Sequence, residues 1–121
     1  MTKPHSLYSA ENASVFIQVF GSTPQLRIID FFLDNPKFDF TREEIMDALG
    51  MAKRTLARYL PEVVSSGIVE VSRKIGRAEL YRLREDSNVI ERLRELERGL
   101  VSSMKGSVEG VTLVVAEGTG F

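Results

Sequence analysis

The fold of this chain is decided by residues 41–83, TREEIMDALGMAKRTLARYLPEVVSSGIVEVSRKIGRAELYRL. At the start of this stretch, Glu44 follows Thr41 at the spacing of a capping box, in which each side chain accepts a hydrogen bond from the other residue's backbone N–H. Apolar residues then recur at helical spacing as far as Gly50. Because glycine commonly ends helices, the sequence predicts a short amphipathic helix that stops there.

A second helix is predicted to begin near Lys53, after a tight turn. Its buried stripe consists of Leu56, Leu60, Val63 and Val64. Its outer face carries Lys53, Arg54, Thr55, Arg58 and Tyr59. Pro61 removes one backbone hydrogen bond from the helix interior, so we expect a bend at that residue.

A β-hairpin is predicted after the second helix. Gly67 has the position of a left-handed helix cap, and alternating β-branched residues begin directly behind it. Strands are predicted over 68–72 and 79–83, with a turn around 74–77. The hairpin tip carries Arg73, Lys74 and Arg77. These charges either protect an exposed strand from pairing with other chains or contact nucleic acid together with the basic helix.

The formal net charge of −1 conceals an uneven distribution. Residues 53–84 carry a net charge of +5, whereas residues 1–52 and 85–121 each carry −3. A basic centre between acidic flanks orients a protein toward a polyanion and limits non-specific binding elsewhere.

Several of these motifs resemble the winged helix-turn-helix transcriptional regulators, broadly of the ArsR and MarR kind. The resemblance covers about residues 16–100 and rests on segments 20–33, 44–45, 50–56, 59–60, 63–64 and 66–69. It implies a mainly α fold with a small β-hairpin wing, that is, an α+β winged helix-turn-helix. Ala52 departs from the family, which often has serine or threonine there as the cap of the recognition helix.

The residues that would contact double-stranded DNA fall into two groups. On the second helix, Arg54 and Arg58 lie one turn apart and can give bidentate contacts to guanine in the major groove. Lys53 and Thr55 would enter the groove beside them. Phosphates or the adjacent minor groove would be contacted by Arg42, Tyr59, Arg73, Lys74 and Arg77. For Tyr59 the alternative is packing beneath the wing.

Three features upstream complete the predicted domain. Thr23 caps and Pro24 opens a helix that is apolar nearly all round, which predicts a core helix with part of its surface free for a second subunit. Residues 13–20 fit a strand by propensity or a helix by spacing, and the helix is favoured. Phe38 and Phe40 lie in a short segment that we expect to pair with the edge of the wing.

A C-terminal helix is predicted to begin at Asp86 or Ser87. Its apolar residues recur at coiled-coil spacing, at Val89, Leu93, Leu96 and Leu100. This pattern predicts a C-terminal dimerisation helix, parallel or antiparallel to its partner; packing on its own domain is the alternative. A dimer would place two recognition helices one turn of DNA apart, about 34 Å, which sharpens discrimination.

The sequence is accordingly divided into four parts. We expect a flexible N-terminal tail over 1–12, a winged helix DNA-binding domain over 13–84, the dimerisation helix over 85–105 and a tail over 106–121. Within the last part, residues 111–115 have strand propensity between glycines, so pairing with a partner and disorder are both open.

Composition excludes several classes of protein. Because the chain has no cysteine, disulfides, thiolate metal sites and thiol redox sensing are excluded. His5 is the only histidine and lies in the polar N-terminal tail, so no catalytic residue, metal site or cofactor is expected, and an enzyme is disfavoured. No run of about 18 apolar residues occurs, so we expect a cytoplasmic protein without a membrane partner.

These features predict a sequence-specific double-stranded DNA-binding transcriptional regulator that acts as a homodimer. The alternative is a winged-helix protein-interaction module of a transcription or partition assembly. In that alternative the C-terminal helix and tail carry the function, and the wing charges are dispensable.

Overall fold

The computed structural model describes residues 14–109, with side chains as far as Met104. The elements in chain order are α1 (Val15–Phe20), α2 (Pro24–Asp34), α3 (Arg42–Leu49), α4 (Lys53–Ser65), β1 (Val69–Ile75), β2 (Ala78–Leu83) and α5 (Asn88–Glu109). Over this range the chain forms a helix-rich α+β arrangement of five helices and one two-stranded antiparallel hairpin. The predictions for the tail 1–12, for His5 and for a strand at 111–115 lie outside the described residues.

Side-chain caps set the starts of the N-terminal helices. In α1, Ser14 accepts a hydrogen bond from the Ile17 N–H, so the helix expected over 13–20 is confirmed and the strand alternative is wrong. In α2, Thr23 accepts from the Leu26 N–H and Pro24 occupies the first turn, as predicted. These contacts satisfy backbone donors that a helix start otherwise leaves unpaired.

The predicted capping box opens α3. The Thr41 N–H donates to Glu44 Oε1 at 2.8 Å, and the Glu44 N–H donates to Thr41 Oγ1 at 3.1 Å. After Gly50, a short connection leads into α4, which runs through Pro61 to Ser65. Two helices joined by a tight turn are therefore present where the sequence predicted them.

The hairpin is longer than predicted. β1 reaches Ile75 and pairs in antiparallel register with β2, so Arg73 and Lys74 lie in the strand and not in the turn. The loop is reduced to Gly76 and Arg77, with Gly76 at φ 62°. A glycine at the first loop position suits a type II′ turn, whose twist matches that of the strands, and pairing therefore continues up to the loop.

A short third segment joins the hairpin to the helices. Phe40 and Tyr81 exchange two backbone hydrogen bonds, each 2.8 Å long, so the predicted pairing of this segment with the hairpin is confirmed. The partner strand is β2, which leaves β1 on the outer side of the hairpin.

α2 lies at the centre of the core. Ile28, Phe31 and Phe32 are fully buried, and the ring of Phe31 lies 4.6 Å from that of Phe40. α2 packs against α1, α3, α4 and β2. Truncating such a buried phenylalanine to alanine typically costs about 3–5 kcal/mol of stability, so this helix is the platform on which the other elements are placed.

α5 begins as predicted but ends later. Ser87 Oγ accepts a hydrogen bond from the Val89 N–H at the helix start. The helix continues to Glu109, beyond the boundary expected at residue 105. Gly106 weakens a helix by about 1 kcal/mol but does not by itself end one, which explains the error. None of the helices between residues 14 and 109 combines the length and apolar content needed to cross a membrane.

Candidate nucleic-acid interface

The outer face of α4 presents the predicted contact residues to solvent. Lys53, Arg54 and Arg58 are exposed, whereas Thr55 and Tyr59 are half-buried. The opposite face is anchored in the core by Leu56, Leu60 and Val63. Because one helical turn is 3.6 residues, the Arg54 and Arg58 side chains project from the same side of a rigidly held helix.

The start of α4 departs from the usual chemistry of a helix N-terminus. Ala52 stands at the cap and provides no side-chain hydrogen bond, and the first turn contains no acidic residue. Lys53 and Arg54 occupy that turn instead, although the positive end of the helix dipole disfavours cations there. In α3, by contrast, the first turn contains Glu43 and Glu44. The exposed amides and cations of α4 therefore concentrate positive potential at one place.

The cations of α4 and of the hairpin end have no acidic partner among the described side chains. These residues are Lys53, Arg54, Arg58, Lys74 and Arg77. The Arg58 guanidinium lies instead over the ring of Tyr59, 5.4 Å from its centroid. Several cations elsewhere are paired with carboxylates, as in Arg82–Glu70 at 3.1 Å, although Arg98 of α5 also has no acidic partner among the described side chains.

A cleft of about 470 Å³ connects the start of α4 with the hairpin turn. Arg42, Lys53 and Arg77 line it from three different elements, and Met46 and Leu56 contribute apolar surface. Cations separated along the sequence are thereby brought to one surface, together with the carboxylates of Glu43 and Glu79.

Arg42 is held in place at this cleft by Tyr81. Its Nε and Nη2 donate to Tyr81 Oη at 3.3 and 3.1 Å, and Tyr81 Oη donates to Glu79 Oε1 at 3.0 Å. Burial raises the pKa of the Tyr81 phenol above its usual value, so the hydroxyl stays protonated as a donor to Glu79. Arg42 is therefore oriented before any ligand is bound.

Arg73 has surroundings that sequence reasoning did not anticipate. Its guanidinium pairs with Asp39, with Nε 2.9 Å from Oδ2 and Nη2 3.4 Å from Oδ1. The hydrogen bond to Asp39, reinforced by its charge, raises the pKa of Arg73 further above its ordinary value. The structure thus separates Arg73 from Lys74 and Arg77, with which the sequence had grouped it. The sequence offered one signal for Asp39. It is the polar residue between Phe38 and Phe40, in a segment that was expected to pair with the hairpin.

The predicted dimerisation residues of α5 are divided between two environments. Leu93 and Leu100 are half-buried and pack against the core of their own chain. Val89 and Leu96 remain 42% and 44% exposed. Further exposed apolar side chains are Val101, which lies alongside the predicted dimerisation residues, Met104 of α5, and Val19 and Phe20 of α1. Because α1 contacts α5, these exposed apolar side chains lie on two neighbouring helices.

No protein-family model matches the sequence, and a search of curated proteins finds no match. Among the described side chains, no group of three or more histidine, aspartate or glutamate residues could hold a metal ion. Function is therefore inferred from the arrangement of the residues themselves.

Proposed function

We propose that the chain is a sequence-specific double-stranded DNA-binding transcriptional regulator with a winged helix-turn-helix domain, acting as a homodimer. α4 is the recognition helix and enters the major groove, and the β1–β2 hairpin is the wing, which lies on the adjacent backbone or minor groove. The observation that carries this proposal is the unpaired cation set at the start of α4, continued across one cleft to the hairpin turn.

The electrostatics of α4 favour a polyanionic ligand. A lysine and an arginine in the first turn of an uncapped helix cost stability, by about 0.3–1 kcal/mol each at an exposed site. Phosphate groups reverse this cost, because they accept hydrogen bonds from the free amides and neutralise the cations. Binding also releases counterions from the nucleic acid, so each contact adds affinity that falls with rising salt.

The shape of α4 favours readout in the major groove of a duplex. An exposed helix face fits that groove, and arginine presents two parallel donors that match the O6 and N7 acceptors of guanine. Arg54 and Arg58 are exposed, lack acidic partners among the described side chains and share one face. They are assigned to base contacts, and Lys53 and Thr55 to their flanks.

The hairpin extends the same surface. Arg77 lines the cleft beside Lys53, and Lys74 lies close to the turn, opposite Glu79 in the strand register. A duplex that accepts α4 would therefore meet the hairpin end as well, and these two cations are assigned to phosphates. Arg42, oriented by Tyr81, and Tyr59, beside Arg58, are assigned to the DNA backbone.

A protein-interaction module remains the competing proposal. It is supported by the exposed apolar side chains of α1 and α5, such as Phe20 at 56% exposure. It requires no basic surface, so loss of the wing charges would leave its function intact. The two proposals therefore differ in the response to charge removal.

The decisive experiment measures fluorescence anisotropy on a random duplex pool and on a duplex enriched from that pool by the native protein, at several salt concentrations. Arg54→Ala/Arg58→Ala should reduce the preference for the enriched duplex, because base contacts are lost. Lys74→Ala/Arg77→Ala should weaken binding to both DNAs alike and flatten the slope of log affinity against log salt by about 1.8, as two phosphate contacts disappear.

The matched control is Arg82→Ala/Arg92→Ala, which removes two exposed arginines already paired with Glu70 and Glu95. It should change binding far less than either test pair. Equal losses of DNA affinity in all three double variants would show that the protein binds DNA only by non-specific charge attraction. No binding by the native protein at low salt would overturn the DNA-binding proposal in favour of the protein-interaction module.

A further inference from the structure

Asp39 joins the helical part of the molecule to the hairpin. It lies between α2 and α3, and its side chain is only 15% exposed. Its carboxylate accepts a hydrogen bond from Ser72 Oγ at 2.8 Å, in addition to the two from the Arg73 guanidinium. One carboxylate therefore holds two consecutive residues of β1.

This contact complements the backbone pairing of the next residue. Phe40 pairs with Tyr81 of β2, whereas Asp39 reaches Ser72 and Arg73 of β1. Two adjacent residues of one connecting segment thus hold both strands of the hairpin. This segment therefore helps to fix the hairpin on the helices, together with the packing of Val69, Tyr81 and Leu83 in the core.

The contact coincides with an irregularity of the strand. The register of β1 shifts between Val71 and Arg73, which leaves Ser72 as the extra residue of a bulge. Ser72 Oγ also lies 3.2 Å from the Leu80 carbonyl oxygen. Bulges bend and twist a strand, so they change where its end points. Asp39 holds the strand where it bends, and the hairpin end with Lys74 and Arg77 lies beyond that point.

Asp39 places a negative charge beside a cation of the hairpin, Arg73. A carboxylate near a DNA-binding surface repels phosphates, and its pairing with Arg73 removes one cation from the hairpin. Its presence would therefore weaken binding if electrostatics were its only effect.

We infer that Asp39 is a positioning residue, which through Ser72 and Arg73 holds the hairpin at the angle that brings Lys74 and Arg77 onto DNA. Arg73 then serves as its partner and not as a phosphate ligand. This inference rests on the proposed DNA-binding function and changes the role that the sequence predicted for Arg73.

The test compares the DNA affinities of Asp39→Asn, Arg73→Gln and the double variant. If Asp39 positions the hairpin, each single variant should weaken binding by about three- to fivefold, the range of a partly exposed ion pair. The double variant should be no weaker than either single one, because both substitutions break the same contact. If Arg73 contacts phosphate instead, Asp39→Asn should strengthen binding and Arg73→Gln should weaken it, which would overturn the inference.

Glu70→Gln is the matched control for charge. It also removes one carboxylate charge from the hairpin, where Glu70 pairs with Arg82 and Arg84, and it should leave affinity unchanged or slightly higher. An equal change in Glu70→Gln and Asp39→Asn would show a general charge effect and would also overturn the inference.

Amide hydrogen exchange without DNA provides the second readout. Loss of the Asp39 contact with Ser72 and Arg73 should accelerate hydrogen exchange at the Phe40 and Tyr81 amides by about threefold. Exchange at amides in the middle of α4 should stay unchanged. Unchanged exchange at both amides would show that Asp39 does not hold the hairpin, and would overturn the inference. Failure of the native chain to bind DNA would instead overturn the proposed function, and with it the role of Asp39 on DNA, even if exchange responds. The two failures are therefore distinguishable.

Discussion

Gly67 connects α4 to the hairpin in a backbone conformation that a side chain disfavours. Its φ is +84°, and an added Cβ would approach its nearest neighbour, Arg84 Nη1, only to 4.0 Å. Space is therefore available, and the constraint at this position is conformational. Gly99 provides the opposite case, because it lies inside α5 with helical backbone and open space around the position of a Cβ.

Alanine substitution should consequently have opposite effects at these two glycines. Gly67→Ala should lower the free energy of unfolding by about 1–2 kcal/mol, the cost of a left-handed conformation for an L-residue. Gly99→Ala should raise it by up to about 1 kcal/mol, since alanine is the better helix former. Urea denaturation of both variants gives the comparison. Stabilisation by Gly67→Ala would contradict the conformation assigned to that residue.

At the scale of elements, arginines fasten one helix to the end of another. Arg94 of α5 donates from Nη2 to the Leu33 carbonyl oxygen near the end of α2, at 2.7 Å. Arg27 of α2 donates in the same way to the Leu49 carbonyl at the end of α3. The last carbonyls of a helix lack partners within it and carry partial negative charge, so a guanidinium both satisfies and stabilises them.

Arg94→Ala should accordingly destabilise the fold by about 1–2 kcal/mol, the value of a hydrogen bond from a charged donor to a partly buried carbonyl. Arg92→Ala is the matched control, because Arg92 and Arg94 both form an i,i+3 ion pair on α5, each at 3.3 Å. An exposed pair contributes little, so Arg92→Ala should change stability by no more than about 0.5 kcal/mol. Thermal or urea unfolding measures both. Equal losses would show that α5 is not anchored through Arg94.

At the scale of the whole molecule, α5 presents more apolar surface than its own domain covers. The helix has 22 residues and so extends about 33 Å. Ile90 is buried, but Val101 and Met104 are exposed towards the other end. Val19 and Phe20 of the neighbouring α1 are exposed as well, and exposed apolar side chains that form one patch commonly mark a protein interface. A second copy of the chain is the partner that the homodimer proposal requires.

Leu96→Asp should shift the assembly from dimer to monomer. A charge in the centre of an apolar interface should raise the dissociation constant of the dimer at least about tenfold. Affinity for the enriched duplex should fall in parallel, because a monomer reads only half of the site. Ser102→Asp, which introduces the same carboxylate at another exposed position of α5, should leave the dimer intact. Sedimentation velocity is the measurement, and a monomeric native chain at micromolar concentration would refute the dimer.

The sequence by itself determined the features whose hydrogen bonds lie within a few residues. The capping box of Thr41 and Glu44, the caps at Thr23 and Ser87, and the positions of both helices around Gly50 follow from contacts two to four positions apart. Such contacts form wherever the local backbone allows them, so they are readable without knowledge of the fold. The helix-rich α+β class followed from the same signals.

Only the tertiary structure decided which distant groups meet. Asp39 and Arg73 are 34 positions apart, and Arg94 and Leu33 are 61 apart, so no local pattern specifies either contact. The same holds for α5, whose apolar pattern suits an intermolecular as well as an intramolecular neighbour. Packing assigned Leu93 to the core and left Leu96 exposed. Periodicity determines the direction in which a side chain points along its own helix, whereas the position of that helix on the rest of the molecule determines what the side chain contacts.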